Sequence, residues 1–170
     1  MLPKSYLVFK WTVYALATLA LFGLQSLVLG HIRVFGLAPF LYPVLPAVLA
    51  SFEGLRRGSV FGLVAGLVCD LMIPGPFEGF YTVLFTLIAL LSALIAENLL
   101  SPGFLCALCV SAMALLLTGG AKLLWEALGG NRHLLLMGRI VAGETLLTLP
   151  ALAAVFPLYR VIHRRCAADY

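Results

Sequence analysis

Gly58-Ser59-Val60-Phe61-Gly62-Leu63-Val64-Ala65-Gly66-Leu67-Val68-Cys69-Asp70 places three glycines four residues apart and an aspartate four beyond the last. In water such a helix is poor, because each interior glycine costs up to about 1 kcal/mol against alanine. In a bilayer the same spacing lets two helices approach closely, and an ionisable residue on such a helix marks a site. Successive helical residues turn by about 100°, which follows from 3.6 residues per turn. Gly62, Ala65, Gly66 and Cys69 therefore share a small-residue face, with Gly58 close by. That face is expected to be a helix-packing seam, within this chain or against a partner, and Gly62→Leu is expected to harm assembly.

The composition around this stretch points to a membrane. Hydrophobic residues make up 63% of the 170, charged residues only 11%, and the mean hydropathy is +1.10. Soluble domains carry roughly 25% charged residues. A net charge of +4 is too small, and the basic residues too scattered, for a nucleic-acid surface. Cys69, Cys106 and Cys109 lie inside apolar runs and Cys166 follows Arg164-Arg165, so no disulfide framework is indicated. The first apolar run is too long for a signal-peptide core and has no A-x-A-like cleavage site after it, so it reads as a retained helix.

About 20 mostly apolar residues cross a bilayer as a helix. On that measure the chain is an all-α integral membrane protein with about six transmembrane helices. It forms a single polytopic domain over 1–170, with helices near 11–29, 37–52, 58–73, 79–97, 104–124 and 136–162. Pro39, Pro43 and Pro46 predict that the second is kinked, partly unwound or re-entrant, since proline removes backbone donors. Glu53 to Arg57 reads as a tight polar turn, and Pro74-Gly75-Pro76 stops the third helix. Lys122 to Glu126 looks interfacial, with an i,i+4 Lys–Glu pair and an amphipathic Trp125. The sixth is expected to be interrupted near Pro150 and Pro157. His31-Ile-Arg33, Asn98 to Gly103 and Gly129 to His133 read as turns or loops. Lys4, Lys10, Arg56, Arg57, Arg160, Arg164 and Arg165 fall on one side, against Arg33, Lys122, Arg132 and Arg139 on the other. That imbalance favours both termini in the cytoplasm of a bacterial cell membrane.

Asp70 is placed at the outer end of the third helix. It is expected either to be solvated or to cap a neighbouring turn there, or to form an ion pair with Arg139, or failing that Lys122. Glu144 is the deepest acidic residue, a group a proton-coupled transporter could use or a paired or protonated carboxyl in a bundle. His31, His133 and His163 all fall in turns or the tail. No nucleophile–base set or phosphate loop is present, and the redox- or metal-like spacing Cys106-x-x-Cys109 has no second pair or nearby His to complete a site, so neither enzyme activity nor a cofactor is expected.

Glu53-Gly-Leu-Arg56-Arg57-Gly58, then Gly62-x-x-Ala65-Gly66-Leu67-x-x-Asp70, a short Pro/Gly turn and Gly79-x-Tyr81 together resemble the bacterial rod shape-determining MreD family. The stretch from Glu144 through Pro150 to Phe156-Pro157-Leu-Tyr-Arg160 is similar to that family's last helix, where members commonly carry Asn before the proline. The resemblance implies a non-enzymatic membrane subunit of the cell-elongation machinery, scaffolding or regulating lateral peptidoglycan synthesis. The implied partners are membrane lipid and a bitopic MreC-like protein. Through the latter come MreB filaments, the RodA glycosyltransferase and a class B penicillin-binding protein. The competing expectation is transport. MreD-like chains resemble the fold of the substrate-binding subunits of energy-coupling factor vitamin transporters. Those subunits often show Ala-x-x-x-Ala in their first helix, whereas Ala15, Ala17 and Ala20 here include no pair four apart.

Overall fold

The computed structural model describes residues 4–29, 39–100, 103–129 and 134–167. Every element among them is helical: α1 (Lys4–Leu24), a π-helical turn (Gln25–Leu29), α2 (Val44–Glu53), α3 (Leu55–Met72), α4 (Phe80–Asn98), α5 (Phe104–Leu128) and α6 (Leu134–Ala167). The turns expected at 31–33, 101–102 and 130–133 lie outside the described residues. Phe80–Asn98 and Phe104–Leu128 are long and apolar enough to cross a membrane. A third span is reached if Leu136–Pro150 and Val155–His163, bent by 50° where the prolines interrupt α6, are counted as one.

The centre of the bundle is its shortest helix. Val44, Leu45, Ala47, Val48, Leu49 and Ala50 of α2 are fully buried, and α2 packs against α3, α4, α5 and α6. A helix apolar all round belongs inside a protein. At 1.5 Å per residue it spans only about 15 Å, half the apolar thickness of a bilayer. Its start is set by the prolines: residues 39–43 are unwound and the helix begins after Pro43. Pro46 falls in the first turn, where its missing N–H would have had no helical partner anyway.

The unwound segment does not leave its backbone bare. Gln25 donates from Nε2 to the Pro39 carbonyl at 2.5 Å and accepts from the Leu41 N–H at 3.3 Å. The Phe40 N–H donates to Thr148 Oγ1 at 2.9 Å. Non-helical backbone at membrane depth is tolerated only where protein satisfies it in this way. Both side chains come from proteinaceous neighbours, the π-turn and α6, and both are buried.

The sequence reading of 53–57 as a polar turn is corrected. Gly54 alone separates α2 from α3, and Leu55 to Arg57 already form the first turn of α3. Gly54 has φ +78°, a conformation that favours glycine and allows the reversal in one residue. Lys122 to Glu126 belong to the last turns of α5, which continues to Leu128, four residues past the expected end.

Candidate functional site

The glycine stretch is the seam on which α3 meets its neighbours. A Cβ on Gly62 would lie 2.6 Å from Ala89 Cβ and 2.7 Å from the Phe85 carbonyl oxygen of α4. One on Gly66 would lie 2.5 Å from Thr82 Cα and 2.6 Å from the Tyr81 carbonyl oxygen. One on Gly58 would meet Ala50 of α2 at 2.6 Å. Ala65 is buried beside them. The seam is therefore filled from within the chain, and its small residues are covered rather than offered to a partner.

Close approach brings carboxylates to helix ends. Asp70 lies four residues past Gly66 on α3, beyond the close contact with Thr82 and Tyr81 of α4. Its Oδ1 accepts from the Tyr81 N–H at 2.9 Å, and its Oδ2 from the Thr82 N–H at 2.9 Å and Thr82 Oγ1 at 2.6 Å. These are two of the donors that a helix N-terminus leaves unpaired, and α4 has no side-chain cap of its own. At the opposite end Glu97 of α4 accepts from the Leu55 N–H at the start of α3, at 3.0 Å. The two antiparallel helices thus cap each other, each carboxylate also meeting the positive end of the partner's dipole.

Of the alternatives expected for Asp70, this geometry shows the cap and corrects the ion pair. The Asp70 oxygens are taken by α4, Arg139 is exposed, and every described ion pair involves Glu53 instead. Lys122 is occupied differently: its ammonium lies 4.1 Å from the centroid of the Phe40 ring and 5.7 Å from that of Tyr81. Cation–π contact of this kind is favourable where the charge is partly desolvated.

Glu53 is the centre of a polar cluster that the sequence reading missed. Its side chain is only 2% exposed. Lys10 approaches Glu53 Oε1 to 2.6 Å, His163 Nδ1 lies 3.2 Å from the same oxygen, and Arg57 lies 3.7 Å from Oε2. Tyr14 donates its hydroxyl to Oε1 at 3.0 Å. His163 stacks on Phe52, so it belongs to α6 and to this cluster, not to a free tail. Next to it, Thr18 Oγ1 and Tyr159 Oη are 2.9 Å apart, which ties α1 to α6. Burial pushes the Glu53 carboxyl up, but Lys10, with Tyr14 and His163, outweighs it and holds the group below its ordinary range. The cluster joins the ends of α1, α2, α3 and α6.

At the other end, between the α3–α4 turn, α5 and α6, lies a cavity of about 480 Å³. Lys122 and Glu144 both line it, with Tyr81, Trp125 and Glu126. Lys122 and Glu144 interact electrostatically without closing to an ion pair. Among the described residues no three His, Cys, Asp or Glu side chains gather as metal ligands would. The cavity is suited to holding a charged or polar group against an aromatic wall. The Glu53 cluster is suited to holding helices together.

Comparison with protein-family models, curated proteins and solved structures finds no match. A functional reading must therefore be carried by the geometry and by the resemblance of the α2–α4 motifs.

Proposed function

We propose that this chain is a non-enzymatic membrane subunit of the bacterial cell-elongation machinery. In this reading it is a multi-pass protein of the cytoplasmic membrane with about six crossings and both termini inside. The observation that carries the reading is the α3–α4 pair. The residues that resemble the MreD family, Glu53 to Gly58, Gly62, Gly66, Asp70 and Gly79-x-Tyr81, fall into one unit of close-packed, mutually capped helices. Charge placement supports the orientation: Lys10 and Arg57 meet at the Glu53 end and Lys122 lies at the Asp70 end. The role is to dock a bitopic MreC-like protein within the membrane and transmit its state to the enzymes of lateral peptidoglycan synthesis.

The outer cavity favours a second reading, a substrate-binding subunit of an energy-coupling factor vitamin transporter. Purification in mild detergent, with identification of bound chains and small molecules, separates the two. Co-purification of a bitopic MreC-like protein is the expected result. Recovery of transporter ATPase subunits, or of a vitamin at one per chain, would overturn it.

A further inference from the structure

We propose that the cavity between the α3–α4 turn, α5 and α6 binds a zwitterionic headgroup, with Lys122 holding its anionic group and Glu144 holding its ammonium. The inference does not depend on which partner the chain serves.

Two opposite charges line one space and neither is satisfied there. Among the described residues the Lys122 ammonium meets aromatic faces but no hydrogen-bond acceptor, and the Glu144 carboxylate has no donor. The ammonium carries three donors and the carboxylate accepts at both oxygens. Both side chains are half-buried, so water satisfies them less well than at a surface, and partly desolvated charges call for partners. The simple remedy, a direct ion pair, is not taken. Lys122 is held over Phe40, whose own position is fixed by the Thr148 hydrogen bond. Glu144 is held one turn before Thr148, which donates to its carbonyl. The gap between them fits a ligand that carries both signs.

The surroundings favour a lipid as the source of that headgroup. Trp125 lines the cavity, is 45% exposed, and marks the headgroup level where amphipathic rings settle. Exposed Leu124, Leu128 and Met137 continue the apolar surface beside it, where acyl chains would lie. Glu126 lines the same cavity and has an interaction of its own. A free zwitterion has the same headgroup chemistry without chains, so the test separates the two sources.

The test uses the full chain in dodecyl maltoside with Trp11→Phe, leaving Trp125 as the reporter. Dihexanoyl-phosphatidylethanolamine is expected to change Trp125 emission saturably. Dihexanoyl-phosphatidylglycerol, which lacks the ammonium, is expected to bind roughly tenfold more weakly, the worth of one charge-assisted contact. Glu144→Gln, which keeps the shape, should erase that preference, and Lys122→Met should weaken both lipids while Lys122→Arg restores them. Phosphoethanolamine that competes at the lipid's own concentration makes the source soluble, and failure to compete makes it membrane lipid; either supports the site. The proposal is overturned if neither phosphatidylethanolamine nor phosphoethanolamine binds saturably, if the two lipids bind alike, or if Glu144→Gln keeps the preference.

Discussion

The two ends of the bundle treat charge in opposite ways. At one end one carboxylate, Glu53, is almost wholly buried and engages Lys10, Arg57, His163 and Tyr14. At the other end Lys122 and Glu144 face a common cavity and stay apart. Between them runs the α3–α4 pair, in which each helix's N-terminus receives a carboxylate from the other helix. The difference separates structure from recognition. Charges that partner each other fasten helices, and charges left facing a cavity are available to something else.

The largest expected effect follows from breaking the Glu53 cluster. Glu53→Ala leaves Lys10 and His163 without their carboxylate, and removing one partner of a buried pair costs about 3–5 kcal/mol. Thermal unfolding in detergent should show a large fall in midpoint. The same cluster sets an acid limit. Glu53 titrates below its ordinary range when folded, so its contribution is present above the unfolded pKa, ordinarily 4.5, and is lost as pH falls through the lower folded value. Wild type should lose stability on acidification below that range, and Glu53→Gln should flatten the dependence.

Next in size is the seam. Gly62→Leu drives side-chain atoms into Ala89 and the Phe85 backbone, an overpacking cost of about 1–3 kcal/mol or more. Gel filtration of the solubilised protein should show loss of the monodisperse species. Asp70→Ala removes the cap of α4, at about 1–2 kcal/mol. A charge swap, Asp70→Arg with Arg139→Asp, should recover none of that loss, because the partner of Asp70 is backbone. Smallest is Lys122→Met, whose effect on unfolding should stay under about 1 kcal/mol, the scale of a partly exposed cation–π contact.

Much of this was legible in the chain. Apolar run length placed α4 and α5 to within a residue or two at three of their four ends, and proline placement foretold both the unwound entry to α2 and the bend in α6. Glycine spacing found the seam because close packing is a local periodic signal. The Glu53 cluster was not legible, since its partners come from 39, 43 and 110 residues away and only the tertiary fold joins them. Glu53 looked like a turn residue because it stands beside Gly54 and two arginines. For Asp70 the sequence offered both a cap and an ion pair, and only the fold decides for the cap, because its donors are amides on the next helix. Depth along a helix can be read from sequence, but the direction a side chain takes at that depth cannot. Lys122 turned inward to Phe40 for that reason.

The contrast between the ends is tested most directly by two isosteric neutralisations measured side by side. Glu53→Gln and Glu144→Gln are compared with wild type by thermal unfolding in the same detergent at neutral pH. The expected result is a marked fall in midpoint for Glu53→Gln and none for Glu144→Gln. Equal losses, or a larger loss for Glu144→Gln, would contradict the division into a fastened Glu53 end and an available Lys122–Glu144 end.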